Sequence, residues 1–217
     1  MLFRSGDKPA KKKFKSYPIG YFHIDVAEVR TEQGKLHMFV AVDRTSKFAF
    51  VELHEKATTA VSREFLLRLI AAVPYTIHTV LTDNGIQFTT PGGGGSAVPL
   101  IKEAIANGER FWAHAFELAC ARNNIDHRTT KARHPWTNGQ VERMNRTIKD
   151  ATVRRFYYES HDQLRGHLAD FVSAYNFARR LKTLKGLTPY EFICKAWAAQ
   201  PERCRTNPLQ QMPGLNI

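Results

Sequence analysis

Tyr21-Phe22-His23-Ile24-Asp25-Val26 decides the reading of this chain. Phe22, Ile24 and Val26 alternate with His23 and Asp25, the period of a strand whose successive side chains point to opposite faces. Asp25 therefore points away from its apolar neighbours. Working outward, residues 21–29 form this first strand, and residues 36–43 and 47–53 read as two more. Gly34 sits in the first connection and Asp43-Arg44-Thr45-Ser46 turns the second, so the three make an antiparallel meander. Residues 58–73 then carry helical spacing, with Val61, Phe65, Leu69 and Ala72 on one stripe and Pro74 as the stop. Residues 79–82 are a short apolar strand that ends at Asp83.

Pro91-Gly92-Gly93-Gly94-Gly95-Ser96 is a flexible break. After it come expected helices over 99–108 and 111–123, a strand over 125–129, and a loop rich in turn residues over 131–140. Residues 141–158 read as one long helix with core positions Val141, Met144, Ile148 and Ala151. Ser160 and Gln163 form a capping box that starts a helix running to about residue 179. Thr188, Pro189 and Glu191 repeat that signal for a last short helix.

The order of elements places the chain in the α/β class, as a mixed five-stranded sheet flanked by helices with a C-terminal helical extension. A doubly wound nucleotide fold is excluded, because no Gly-rich phosphate loop follows the first strand. The expected organisation is a basic leader over 1–17 and a core over 18–158 carrying a Gly-rich insertion at 91–113. C-terminal helices over 159–200 pack on that core, and an irregular tail covers 201–217.

The chain has 217 residues and a net charge of +12. Its 43% hydrophobic content supports a real core and excludes disorder throughout. No apolar run reaches membrane-spanning length, and the first residues lack the apolar stretch of a secretory signal. Cys120, Cys194 and Cys204 are odd in number and widely spaced, which predicts neither a disulfide framework nor a metal pair, and a reducing cytoplasm fits. Positive charge is concentrated. Residues 1–20 carry six Lys and Arg against one acid, residues 121–155 nine against three, and residues 179–205 seven against two. Each cluster alone is an ordinary solvated face; together they point to a phosphate backbone.

Against this positive charge stand three carboxylates in particular contexts: Asp25 in mid-strand, Asp83 in Thr82-Asp83-Asn84-Gly85, and Glu142 opening a helix after Thr137-Asn138-Gly139-Gln140-Val141. Each has an ordinary explanation: a strand Asp with a basic partner, a turn tripeptide, a helix-dipole Glu. Taken in order, they are the oxygen donors a hard cation such as magnesium prefers. Two such ions about 4 Å apart suit phosphodiester chemistry. Asn84 is placed to order the groups around them. Glu142, Asn145, Arg146 and Lys149 fall at i, i+3, i+4 and i+7, so one helix face would bring a DNA phosphate beside the acids. Lys131, Arg133 and Arg143, with Asn138 and Gln140, are the further candidates for DNA contact. His127 and His134 have no partner at zinc spacing, and Trp136 reads as a packed loop aromatic before a base-stacking one.

These segments resemble the catalytic core of retroviral integrases, and more closely the bacterial insertion-sequence transposases that share it. The resemblance covers about residues 20–195. It is carried by His23-Ile24-Asp25-Val26, Val42-Asp43-Arg44-Thr45-Ser46-Lys47-Phe48, Thr82-Asp83-Asn84-Gly85-Ile86-Gln87-Phe88 and Thr137 through Lys149. Tyr175-Asn176 with Arg179 and Gly186-Leu187-Thr188-Pro189 close it.

The resemblance implies a ribonuclease-H-like fold, with Asp25, Asp83 and Glu142 as both catalytic residues and ligands of two Mg²⁺ (or Mn²⁺) ions. The implied activity is DNA nicking and 3′-hydroxyl strand transfer on element ends and target DNA. The implied assembly is a homo-oligomer, a dimer or higher on DNA, in the bacterial cytoplasm at the nucleoid. The chain departs from the pattern in a longer Asp83-to-Glu142 interval, in Trp136 where Gln is common, and in Arg180-Leu181 where Pro-His is frequent. Larger members carry an N-terminal helix-turn-helix region, for which there is no room before the core here. The alternatives are a non-catalytic DNA-binding or assembly module and a plain metal-dependent nuclease of the same fold.

Overall fold

The computed structural model describes residues 17–90, 95–130 and 139–211. Its centre is a five-stranded sheet in the order β3-β2-β1-β4-β5, formed by β1 (Tyr21–Thr31), β2 (Gly34–Asp43), β3 (Ala49–His54), β4 (Thr79–Thr82) and β5 (Asp126–Thr129). The first three are an antiparallel meander, and β4 and β5 add in parallel beside β1. Six helices cover the sheet: α1 (Thr59–Ala72), α2 (Val98–Asn107), α3 (Ala115–Arg122), α4 (Gly139–Ala151), α5 (His161–Phe177) and α6 (Pro189–Ala199).

The strand alternation divides the core in two. Phe22 and Ile24 of β1 and Phe39 and Ala41 of β2 face one side, where Phe65, Leu69, Phe116 and Ile193 meet them from α1, α3 and α6. Val29 of β1 and Leu36, Met38, Val40 and Val42 of β2 face the other, against Val141, Met144 and Ile148 of α4 and Leu164 and Leu168 of α5. Both layers are apolar, so the sheet is buried between helices, as in other sheets with parallel strands. Asp25 lies on the α4 side, paired across the ladder with Val40.

Local signals set the helix ends. Thr58 caps α1 by accepting from Val61 N. Both capping boxes form, Ser160 with Gln163 on α5 and Thr188 with Glu191 on α6. On α1 the buried stripe is Phe65, Leu66 and Leu69, whereas Ala72 is exposed. Helix α4 stops at Ala151, short of the expected 158. There the Thr152 hydroxyl donates back to Ile148 O at 2.7 Å, and Arg154 N reaches Lys149 O, which closes the last turn. Helix α3 starts at Ala115, because residues 111–114 are not helical and His114, just before it, has extended backbone.

Two connections are held by buried polar groups. In the β2–β3 turn, Asp43 is fully buried and accepts the N–H groups of Gly20 (2.7 Å), Thr45 (2.7 Å) and Ser46 (2.9 Å). Gly20 has φ +98, and a Cβ there would lie 2.3 Å from Thr76 O, so only glycine fits. At the open edge of β3, the Asn176 amide brackets Ala49, accepting its N–H at 2.9 Å and donating to its carbonyl at 2.7 Å. This occupies backbone groups that an edge strand otherwise leaves open.

Two expectations change. Helix α2, read as part of an insertion beside the core, buries Val98 and Ile101 in the main apolar cluster. The segment from 201, read as irregular, holds 3-10 turns at Pro201–Arg203 and Pro208–Gln211 and is tied down. Arg203 O accepts from Thr76 N, Pro208 O accepts from the Tyr190 hydroxyl, and the Arg205 guanidinium caps the C-terminal carbonyls of α1 at Ile70 and Val73.

Candidate active site

Strand register places the first two carboxylates. In the parallel pair, Tyr21 lies opposite Thr79, Phe22 opposite Val80 and His23 opposite Leu81. Two residues further along each strand are Asp25 and Asp83. Both leave the ladder at the same end, Asp25 still on β1 and Asp83 just past the end of β4, on neighbouring segments of the sheet. The ladder opens there because β4 ends at Thr82, and the Asp83 carboxylate turns the chain by accepting Gly85 N at 3.0 Å.

Helix α4 brings the third. Its apolar stripe anchors on β2, and this lays the helix across the face of the sheet that carries Asp25. Asn145, 7% exposed, donates from Nδ2 to Asp25 Oδ2 at 2.6 Å. Glu142, one turn earlier, is exposed. The fields of both acids reach Asp25. Burial, then the Asp83 carboxylate, then Glu142 push the Asp25 carboxyl up to about 6, while its hydrogen bond with Val26 N–H and the Lys149 ammonium pull the other way.

The three acids are thus neighbours. Among the described residues, however, no three His, Cys, Asp or Glu side chains close into a set that could hold a metal ion. The donors themselves suit a hard cation, being all oxygen. So does the buried Asn145 Oδ1, which has no hydrogen-bond partner among the described residues.

The other expected site residues separate into groups. Asn145, expected as a DNA contact, is turned inward and donates to Asp25. Asn84 donates to Thr130 O at 2.9 Å, which fastens the Asp83 turn to the end of β5. Gln140 accepts from Lys47 Nζ at 3.3 Å. Arg143 and Arg146 are exposed and Lys149 half-buried, and none of the three forms an ion pair among the described residues. Lys131, Arg133 and Asn138 lie outside the described residues.

One group was missed by sequence reasoning. Behind Asp83 runs a buried relay. The Thr82 hydroxyl donates to Asp83 O at 2.7 Å and meets His127 Nε2 at 2.9 Å. His127 Nδ1 lies 3.5 Å from Glu117 Oε1, which also accepts Ala97 N (2.8 Å) and Thr89 Oγ1 (3.3 Å). Thr82 has one hydroxyl hydrogen, so when it donates to Asp83 O the donor in its contact with His127 is Nε2. Burial alone would raise the Glu117 carboxyl, but the His127 ring beside it and the hydrogen bonds from Ala97 N–H and the Thr89 hydroxyl outweigh it and hold the group below the usual range. The His127 signal in the sequence was a strand histidine in alternation; its acid partner came from a helix.

Two models described as integrase core domain match this chain, one over residues 15–135 and the other over residues 123–189. The chain belongs to the integrase core domain family. Its sheet order and flanking helices are those of the ribonuclease-H-like integrase core. It superposes on the HTLV-2 integrase catalytic core domain solved with magnesium, with a TM-score of 0.57 at 19% identity, over 80% of this chain and 95% of that one. With the BIV integrase catalytic core domain the TM-score is 0.58 at 20% identity, over 84% and 98%. With the simian T-cell lymphotropic virus intasome bound to PP2A regulatory subunit B56 gamma it is 0.62 at 20%, over 80% and 54%. At these identities the likeness is one of fold.

By sequence, this integrase core is 24% identical over 163 residues to the integrase-named ORF3 protein of Spiroplasma virus SpV1-C74, covering 73% of this chain and 42% of that protein. It is 27% identical over 113 residues to the uncharacterized protein K02A2.6 of Caenorhabditis elegans, covering 52% and 7%. The chain therefore matches less than half the length of these relatives. Among the described residues no helix is long and apolar enough to cross a membrane.

Proposed function

We propose that this integrase core is the catalytic part of a DNA transposase or integrase, a divalent-metal-dependent polynucleotidyl transferase of the Asp-Asp-Glu type. The observation that carries the reading is the convergence on Asp25 of β1, of Asp83 at the end of the adjacent parallel strand β4, and of Asn145 and Glu142 on α4, with both acids raising the Asp25 carboxyl. Asp25, Asp83 and Glu142 would hold Mg²⁺ or Mn²⁺, and the all-oxygen donors and the unpartnered Asn145 Oδ1 support that choice. When bound, such ions supply positive charge at phosphorus and at the attacking and leaving oxygens.

The residues of the chain do the positioning. Asn145 fixes the rotamer of Asp25. The Glu117–His127–Thr82 relay fixes the main chain of Asp83. Arg146 and Lys149, beside Glu142 on α4, draw in the phosphate backbone without reading its bases. In nicking, a water oxygen forms the new bond to phosphorus and the 3′ oxygen leaves with a proton. In joining, that freed 3′-hydroxyl oxygen bonds to a target phosphorus and gives up its proton, while the target strand's own 3′ oxygen leaves and takes one up. Both are in-line displacements, and neither uses a covalent enzyme intermediate. Recombination by ends held together favours a homo-oligomer on DNA, and the HTLV-2 catalytic core, solved in dimeric and trimeric forms, supports that expectation.

A second reading, a non-catalytic DNA-binding module, draws on the exposed cations Arg143 and Arg146, which form no ion pair among the described residues and would hold a phosphate backbone without the acids. Nicking of supercoiled plasmid in Mg²⁺ or Mn²⁺ separates the two. The catalytic reading expects metal-dependent nicking that Asp25→Asn abolishes while DNA binding persists. Metal-independent nicking, or nicking that the variant retains, rejects it.

A further inference from the structure

Helix α4 has two flanks. At about 100° per residue, Glu142, Asn145 and Lys149 fall on one side of the buried Val141–Met144–Ile148 stripe, and Gln140, Arg143 and Thr147 on the other. The first flank meets Asp25. The second lines a cavity of about 290 Å³ between α4, the β2–β3 turn and the end of α5. Lys47 enters this cavity from the turn, Arg179 from just beyond α5, and Arg143 from α4; Met144 and Tyr175 supply apolar walls. Lining hydroxyls come from Thr147 and Thr183, and the lining contains no carboxylate.

Two of the three cations are held in place, and all three lack an ion-pair partner among the described residues. Lys47 takes a left-handed backbone (φ 64), and its ammonium donates to Arg44 O and to Gln140 Oε1. Arg179 stacks over the Tyr175 ring, 6.0 Å from its centroid. The acid whose field reaches Lys47 is Asp43, and its oxygens are already taken by three main-chain N–H groups. Burial, with Arg44 and Arg143 nearby, draws the Lys47 ammonium below its ordinary range, and Asp43 only partly offsets them.

We infer that the Lys47–Arg143–Arg179 cavity is a phosphate-binding subsite, on the flank of α4 opposite Asp25, that takes one phosphate group. The chemistry is that of forked guanidinium and ammonium donors converging on a tetrahedral oxyanion, with neutral hydroxyls to complete its shell. A phosphodiester of a DNA strand and a free phosphate share that chemistry. The strand as source rests on the DNA reading above; the subsite itself does not.

The test compares the full chain with an Arg143→Gln/Arg179→Gln double variant, both positions being exposed. In one arm, affinity for a short DNA duplex is titrated against salt. In the other, the melting temperature is followed as inorganic phosphate replaces chloride at constant ionic strength. A phosphate-dependent rise in the wild type that the variant lacks supports the subsite. A slope of log affinity against log salt that is shallower by about one unit in the variant assigns its phosphate to a DNA strand. A phosphate effect with an unchanged DNA slope assigns it to free phosphate. Wild type and variant alike in both arms overturn the inference. Absence of any salt-dependent DNA binding by the wild type rejects the DNA reading, and the phosphate arm then decides the subsite alone.

Discussion

Asn145 Nδ2 lies 2.6 Å from Asp25 Oδ2, a bond between α4 and β1 across 120 residues of chain. It sets the orientation of a carboxylate that two other acids repel, and it leaves Asn145 Oδ1 as a buried acceptor. Asn145→Ala is expected to weaken Mg²⁺ or Mn²⁺ binding, read by calorimetry, by about 10- to 100-fold, the usual effect of losing a group that orients a ligand. Secondary structure should be unchanged. Metal affinity equal to wild type would show that Asp25 needs no such support.

Asp25 itself gives a pH dependence in the metal-free protein. Its folded carboxyl is raised to about 6, above its unfolded value. A raised carboxyl contributes stability below its unfolded value, and that contribution is lost as pH rises through about 6. In EDTA, Asp25→Asn should therefore stabilise the fold at pH 8, by up to about 2 kcal/mol, and by much less at pH 4. Denaturant unfolding at the two values measures this. An equal effect at both would mean that the repulsion from Asp83 and Glu142 is not felt.

The relay behind Asp83 separates stability from catalysis. Glu117→Ala leaves Ala97 N–H and the Thr89 hydroxyl without their acceptor in a buried site, and should cost about 2–4 kcal/mol in urea unfolding. Because the Glu117 carboxyl is held below its ordinary range, its contribution is present above the unfolded value and fades as pH falls through the folded one. Thr82→Val removes only the link between His127 and Asp83 O and should cost about 1 kcal/mol. The same change should lower the nicking rate at saturating DNA more than it alters DNA affinity. A variant with wild-type turnover would reduce the relay to packing.

Helix α2 is expected to behave as core. Deleting residues 96–108 removes buried Val98 and Ile101 and takes Ala97 N–H from Glu117. The predicted loss exceeds about 3 kcal/mol, since burial of two such side chains is worth about 1.5–3 kcal/mol each. A deletion variant that melts with the wild type would return this segment to the status of a passive insertion.

Much of the architecture was legible because it is local. The strand at Thr79–Thr82 is an apolar run bounded by its own turn, and Ser160–Gln163 and Thr188–Glu191 complete their capping boxes within four residues. The alternation along β1 placed Asp25 opposite Phe22 and Ile24 for the same reason. Where the reading overran, a side chain competed with the helix: Thr152 bonds back to Ile148 O, and α4 ends there instead of continuing to Tyr158.

What the sequence determined by itself was the set of elements, the face each strand presents, and the presence of three acids in a basic chain. The tertiary structure decided which groups meet. Asp25 and Asp83 come to the same end of the sheet only through the parallel pairing of β1 and β4, which joins segments far apart in the chain. Asn145 sits at the margin of the apolar stripe of α4, and whether such a residue turns inward depends on the partner waiting there. Glu117, His127 and Thr82 come from α3, β5 and β4, and a buried carboxylate is tolerated only where those neighbours supply its hydrogen bonds. Helical periodicity set Arg143 apart from the Glu142 face; only the packing of α4 on the sheet brought it beside Lys47 and Arg179.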